Sequence, residues 1–451
     1  MMPVCRVLLM AMVLPSFWPA VHGAEDDDQA QVRNVQDVHR ILHKGKLSAA
    51  DARGVLNFMR RSYRQQDLST GAHKHLLQRS ADGGGYAAWC LQAARGANVS
   101  VVAEKGRRWP MIRLGEEPLW VWSKKFENFT SVHYRFDVNG TRLGGGRNNR
   151  FGFESYEWHP DSLKQDGVPA GKLVDMGRHV SRQYYTGAAR QWWIYIPAQY
   201  AADDGPPAKL IVFNDGGGFT KGAGNVPTVL DNLIHKQKIP VMIAVFVNPG
   251  MLSTKSAGGP PRSNRGNEYD TCTPRFADFL DHEILPIVRQ RYRISDDPWD
   301  HAICGSSSGA SCAFTAAWHR NDLFRRVISF VGSYCDFRPL GDYPVSGEAL
   351  PAAARKFGPW KTAHDYPALI RKTDPRRPIK IFLQDGENDL DNRLGNWFQN
   401  NVRMASALAY AGYEYKFVAG KGMHSKRHGM ALLPDILVWL WNDSPRPNSD
   451  K

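Results

Sequence analysis

The stretch His301-Ala-Ile-Cys-Gly-Ser-Ser307-Ser-Gly-Ala-Ser-Cys312 restricts the fold more than any other part of the chain. An apolar run enters a Gly–Ser turn and leaves it into small residues suited to a helix. Gly305, Ser307 and Gly309 have the spacing of a nucleophile elbow. In that motif a serine sits on a sharp strand-to-helix turn, and the flanking glycines let the backbone bend without Cβ clashes. Glycine and serine also make ordinary loops, so the pattern gains its meaning from the strand before it and the helix after it. A serine displayed in this way is a nucleophile only if the chain also supplies a base, an acid to hold the base, and N–H donors for an oxyanion.

After residue 180 strand and helix patterns alternate. Gln191–Ile196, Lys209–Phe213, Val241–Val247, Val327–Val331, Ile379–Leu383 and Tyr413–Val418 read as strands, with the run entering the elbow between the third and fourth. Val226–His235, Phe276–Tyr292, Trp397–Ala411 and Met430–Trp441 read as helices. Short apolar strands alternating with helices predict a mostly parallel sheet with helices on both faces. Ligands of such sheets bind at the carboxyl ends of the strands.

The loops at those ends carry the other residues of a nucleophilic site. In α/β-hydrolases the chain order is Ser, then Asp or Glu, then His. Gln384-Asp385-Gly-Glu387-Asn-Asp389-Leu-Asp391 follows one strand, and Gly420-Lys-Gly-Met-His424-Ser-Lys-Arg-His428 follows the next. Asp389 lies just past the Gly386 turn and is the favoured acid, with Asp385, Asp391 and Glu387 as alternatives. His424 is favoured as the base over His428, which precedes the last helix and could instead cap it. Asp215-Gly216-Gly217-Gly218 follows the Lys209–Phe213 strand, so the Gly217 and Ser308 N–H groups are expected to form the oxyanion hole. Arg262, Arg265 and Glu268 lie after the central strand and are expected to receive substrate, although the arginines could instead pair with Glu268 or Asp270.

Ahead of this region residues 31–80 read as a helical hairpin, with Ser48 as an N-cap and Asp51 three residues on. Ala81-Asp-Gly-Gly-Gly85 reads as a linker. From Tyr86 the apolar period becomes two, and short strand patterns up to Val138 with an Asn139-Gly140 turn predict a small β-sandwich. Residues 141–175 read as a connector. Trp89, Trp120 and Trp122 are either core or a sugar-stacking surface. The predicted organisation is therefore residues 1–23 as a signal peptide, 24–82 as a helical segment, 83–175 as an Ig-like β-sandwich module and connector, and 176–445 as the hydrolase domain. The leader rests on Arg6, the apolar run Val7–Val13 and small residues at Val21-His-Gly23. It implies a secreted or periplasmic protein with no integral membrane segment once it is removed.

The chain has 451 residues and a formal net charge of +14. Its basic residues are scattered without a nucleic-acid motif, so no nucleic-acid partner is expected. Cysteine and histidine spacing gives no metal site. Cys5 falls in the leader, and Cys90, Cys272, Cys304, Cys312 and Cys335 are odd in number, so at least one thiol is free unless it pairs between chains.

Four segments carry a resemblance: Val212-Phe-Asn-Asp-Gly-Gly217, Gly305-Ser-Ser307-Ser-Gly309, Gly386-Glu-Asn-Asp389 and Gly420-Lys-Gly-Met-His424. With them residues 180–443 resemble the putative-esterase family of α/β-hydrolases, which includes enterochelin, feruloyl and acetylxylan esterases and the mycolyltransferases. The resemblance implies an α/β-hydrolase fold and an acyl-enzyme mechanism without a cofactor. It also implies Asp389 and His424 as the partners of Ser307, and Gly217 as an oxyanion donor. Tyr134–Gly140 and His159–Gly171 resemble the Ig-like module and connector of enterochelin-esterase-like secreted proteins. Where siderophore esterases have an aromatic pair after the histidine, this chain has Ser425-Lys-Arg-His-Gly. The expected substrate is a small-molecule or polysaccharide ester carrying an acyl or feruloyl group. A siderophore lactone is the alternative, and a non-catalytic binding protein on the same scaffold is a third reading.

Overall fold

A computed structural model describes residues 32–63, 75–103, 106–144, 149–202, 205–222, 224–253, 261–337 and 362–442. The leader expected at 1–23 lies outside the described residues. Among those residues no helix is long and apolar enough to cross a membrane.

A ten-stranded sheet forms the larger part of the molecule. Its main strands are β1 (Lys172–Val180), β2 (Ala189–Ile196), β3 (Lys209–Asn214), β4 (Met242–Val247), β5 (His301–Ser306), β6 (Arg326–Phe330), β7 (Lys380–Gly386) and β8 (Glu414–Gly420). Their spatial order is β1-β2-β4-β3-β5-β6-β7-β8, with two short strands at Met251–Leu252 and Arg262–Ser263 extending the β2 edge. β2 pairs antiparallel with β1 and β4, and the remaining main-strand pairs from β4 to β8 are parallel. The centre of the sheet is buried on both sides, which is why β3, β4 and β5 appear in the sequence as unbroken apolar runs. Leu210 and Val212 of β3 face one core, together with Phe276, Leu280 and Phe314. Ile211 and Phe213 face the other, with Val229, Leu233 and Leu437.

Two expected helices are interrupted. The Phe276–Tyr292 pattern forms Arg275–Phe279, a π-helical turn at Leu280–Ile284 and then Leu285–Arg289. Pro286 has no N–H to continue the ladder, so the chain widens its hydrogen bonding just before it. The closing helix is likewise divided into Arg427–Ala431 and Leu433–Trp441, with Pro434 at the start of the second piece.

In the N-terminal part the helices Val35–Leu42 and Ala49–Ser62 form as the periodicity predicts, and Ser48 and Asp51 make a reciprocal capping box. They do not hang free. Val38, Ile41, Val55 and Met59 pack with Ala88, Cys90, Leu119 and Val121 of a four-stranded antiparallel sheet. The glycines at 83–85 are not a linker. They close a hairpin between His75–Arg79, a strand where helix was expected, and Gly85–Gln92. A Cβ on Gly85 would lie 2.2 Å from the Phe153 ring, so a glycine is required there. The opposite face of this sheet shares a core with a five-stranded antiparallel sheet, through Trp89, Trp109, Phe126, Tyr134 and Phe151. Trp89 is fully buried and Trp122 packs on His43, so neither is an open stacking platform for a sugar.

Residues 141–175, expected as a connector, contain the strands Thr141–Leu143 and Arg150–Phe153 and the start of β1. Strand β1 is an edge, mostly exposed on both faces, and has no apolar alternation to reveal it. The connector is anchored by Asp161, whose buried carboxylate meets Lys236 and Lys238 (2.8 Å) beyond the Val226–His235 helix. Cys90, Cys272, Cys304, Cys312 and Cys335 are all free and buried. Met59→Ala is expected to destabilise the N-terminal part by about 2–5 kcal/mol through the cavity it leaves. A urea titration followed by tryptophan fluorescence would measure this, and an unchanged midpoint would show that the hairpin is only an appendage.

Candidate active site

Ser307 sits between β5 and the helix Ser308–His319 with φ 59° and ψ −127°, a backbone conformation that costs energy and holds the side chain out of the turn. The glycines around it allow the helix to approach the strand. A Cβ on Gly305 would lie 2.1 Å from the Gly309 carbonyl oxygen, and one on Gly309 would lie 2.8 Å from Asp215 Oδ2.

Three strand-end loops converge on this serine. His424 Nε2 is 2.8 Å from Ser307 Oγ, and His424 Nδ1 is 2.6 Å from Asp389 Oδ1. The Asp389 side chain is completely buried, while the His424 ring is 15% exposed and so reachable from solvent. Asp389 Oδ1 also accepts the Leu390 N–H. Ser333, after β6, completes the surroundings. Its hydroxyl accepts from Trp397 Nε1 (3.0 Å), which leaves its own proton for Ser307 Oγ at 3.1 Å. The Trp397 ring stands edge-on to His424.

The other candidates for acid and base are separated from the serine. Asp391 and Glu387 are exposed. His428 stacks on Tyr156 and hydrogen-bonds Gln384. Asp385 lies beneath the site, accepting from the Gly386 N–H (2.7 Å) and Asn401 Nδ2 (2.6 Å). Burial, reinforced by the neighbouring Asp389 charge, pushes the Asp385 carboxyl far above the ordinary carboxylate range. A proton kept on Asp385 supplies a donor for Asp389 Oδ2, which is buried without any other partner.

The expected oxyanion loop is built differently from its sequence reading. Asp215 takes a left-handed conformation (φ 54°) and the Gly216–Phe219 segment makes a single 3-10 turn. The Gly217 N–H donates to Asn248 Oδ1 at 2.9 Å, so in this arrangement it is not presented to Ser307. Ser308 is the first residue of its helix, where amides have no carbonyl a turn behind them, and its N–H is available at the elbow. Lys426, two residues past His424, places its ammonium on the Gly218 carbonyl and over the Phe219 ring at 3.8 Å. It ties the histidine loop to the glycine loop, and burial pushes its pKa down.

Two of the three expected substrate contacts are engaged in ion pairs. Arg265 makes a bidentate pair with Asp215 (2.8 and 2.7 Å) and reaches the Ser306 carbonyl, which pins the glycine loop to the elbow strand. Glu268 is buried and pairs with Arg190 (2.7 and 3.0 Å), while also accepting from Asn264 and the Gly250 N–H. Both side chains of that pair are fully buried, so neither can meet a ligand. Arg262 alone is exposed. The sequence reading missed Ser333, Trp397, Asn248 and Lys426. Ser333 was open to discovery, since it follows a strand of the sheet as the other site residues do.

A family model described as "Putative esterase" matches residues 185–440. Among curated proteins, the iron(III) enterobactin esterase of Escherichia coli is 25% identical over 167 residues, or 37% of this chain and 36% of that protein. The chain thus aligns with about a third of that relative's length. Among solved structures, an enterobactin esterase from Shigella flexneri, in the presence of 2,3-di-hydroxy-N-benzoyl-glycine, superposes with a TM-score of 0.51 at 16% identity. The match covers 82% of this chain and 96% of that one, and it is a likeness of fold. A ferulic acid esterase from Anaeromyces mucronatus superposes with a TM-score of 0.43 at 17% identity, covering 62% of this chain and 93% of that one.

Glu268→Ala is expected to destabilise the chain by about 3–5 kcal/mol by leaving the Arg190 charge buried and unpaired. Chemical denaturation measures this, and a normal melt with weakened ligand binding would restore Glu268 as a substrate contact. The raised Asp385 carboxyl gives a second expectation. Unfolded aspartate titrates near ~4, whereas folded Asp385 keeps its proton to much higher pH. Its contribution to stability is therefore full below about pH 4 and is lost as pH rises toward the folded value. The thermal midpoint should fall more steeply between about pH 5 and about pH 9 in the parent than in Asp385→Asn. Parallel slopes would show that Asp385 is ionised in the fold.

Proposed function

The chain belongs to the putative esterase family, and from that premise we propose that it is a serine hydrolase of carboxylic esters working through Ser307, His424 and Asp389. The observation that carries this reading is the unbroken hydrogen-bond chain from Asp389 through His424 to Ser307. Ser307 Oγ attacks the ester carbonyl while His424 Nε2 takes its proton, and Asp389 holds Nδ1–H and balances the imidazolium. The tetrahedral intermediate expels the alcohol, which takes the proton back from His424 and leaves an acyl-enzyme. A water then repeats the cycle and frees the acid. The Ser308 N–H stabilises the oxyanion at the helix terminus. The Gly217 N–H joins it when the developing charge replaces Asn248 Oδ1 as its acceptor. The steps need no metal or organic cofactor.

For the substrate, the two classes are a siderophore lactone of the enterobactin type and an acyl or feruloyl ester on a polysaccharide. The curated relative, an enterobactin esterase by name, favours the first. So does the formal net charge of +14, which attracts an anionic iron(III) catechol complex. Export from the cytoplasm on residues 1–23 belongs to the same reading. A protein that binds such esters without cleaving them remains the competing class.

Ser307→Ala should lower kcat on p-nitrophenyl esters by at least about 10,000-fold and abolish fluorophosphonate labelling. Wild-type protein that takes no label and turns over no ester would favour the binding protein. The same assay run on ferric enterobactin, feruloylated arabinoxylan and acetylated xylan identifies the substrate class, the first being expected to give the highest kcat/KM.

A further inference from the structure

The histidine loop is held from outside the sheet that presents it. Glu154 directly follows the strand Arg150–Phe153 of the N-terminal part, and it is 2% exposed. Its carboxylate accepts from the Met423 N–H (3.2 Å) and the Ser425 hydroxyl (2.5 Å), the two residues that flank His424. A third donor, the Tyr156 hydroxyl at 2.9 Å, orients the same carboxylate. Arg79 (3.2 Å) and Arg427 (3.0 Å) meet at the Glu154 carbonyl oxygen and fix its backbone from either side.

The surfaces here leave no slack. A Cβ on Gly422 would lie 2.4 Å from the Tyr156 hydroxyl and 2.7 Å from Glu154 Oε1, and one on Gly152 would lie 2.4 Å from Met423 Cε. The Tyr156 ring stacks on His428 with centroids 4.6 Å apart and an interplanar angle of 2°. Among the described residues the His424 ring bonds toward the reaction, to Ser307 and Asp389. Its position along the loop therefore depends on what anchors Met423 and Ser425.

We propose that Glu154 is a positioning residue for the reaction, and that the N-terminal part, through it, sets the distance between His424 and Ser307. The proposal rests on the reading of Ser307, His424 and Asp389 as the hydrolytic triad. Without the carboxylate, the buried Met423 N–H and the half-buried Ser425 hydroxyl lose their acceptor, which favours a shifted loop. A displacement of about 1 Å at a reacting group can reduce a rate by on the order of 100-fold while substrate still binds.

The test uses the full chain with Glu154→Gln, Ser425→Ala and Tyr156→Phe, and with Glu157→Gln as an exposed control. Four quantities are measured: kcat and KM on p-nitrophenyl acetate, the rate of fluorophosphonate labelling, and the thermal midpoint. Glu154→Gln is expected to lower kcat by about 10- to 100-fold, with KM within about 3-fold of the parent and labelling slowed in proportion to kcat. Ser425→Ala should show a smaller loss of the same kind, and Glu157→Gln none. Folded variants of Glu154 and Ser425 with the parent kcat and labelling rate would overturn the proposal and reduce Glu154 to packing. If Glu154→Gln lacks a cooperative melt, Ser425→Ala and Tyr156→Phe decide by the same criterion. A parent protein that neither hydrolyses nor labels would instead overturn the triad reading, which keeps the two failures apart.

Discussion

The register of the parallel strands is the constraint from which the rest follows. Ser307 and His424 stand 117 positions apart in the chain, yet their side chains meet within 2.8 Å. What closes that distance is pairing: Ser306 lies beside Phe330, Phe330 beside Gln384, and Gly386 beside Gly420. The carboxyl ends of β5, β6, β7 and β8 are therefore level. A slip of one residue in the central pairs would exchange the side chains packed in the two cores, so the fit of each core to its own face holds the alignment. The two cores thus hold the site together as firmly as the polar contacts within it.

The charged groups around the site serve that alignment more than they serve a ligand. Asp215–Arg265 joins the glycine loop to the elbow strand, and Arg190–Glu268 joins β2 to the segment after β4. Lys426 bridges the histidine loop and the glycine loop. Arg265 and Glu268, which the sequence offers as substrate contacts, are thereby engaged in ion pairs. Asp385 acts by the opposite means. Held neutral by burial, it lets a second carboxyl group sit beneath the first without repulsion.

The strands buried on both faces were legible in the sequence because their apolar runs have no other use. Ser307, Asp389 and His424 could be singled out in the sequence because each follows a strand of the sheet, and the structure brings their side chains together. The choice between Asp385 and Asp389 was less legible, since they stand four positions apart at one strand end and only the fold decides which turns toward the imidazole. Strand β1 was hidden by its exposure, and Glu154 by its setting in a segment that looks like connector. The Gly217 amide shows a further limit. It was expected to face the oxyanion, but its partner, Asn248, follows the neighbouring strand β4, and local sequence carries no sign of that contact.

The contact between Glu154 and Ser425 spans 271 positions and joins an early part of the chain to one of its last. During synthesis the N-terminal sheets emerge well before the histidine loop does. Domains generally fold as units, beginning at the N-terminus. The receptor for the loop is then already formed when Met423, His424 and Ser425 leave the ribosome, and β8 has only to add itself to an existing edge. The loop that carries His424, the last of the three site residues to be synthesised, thus meets partners from both an earlier sheet and the strand ends before it.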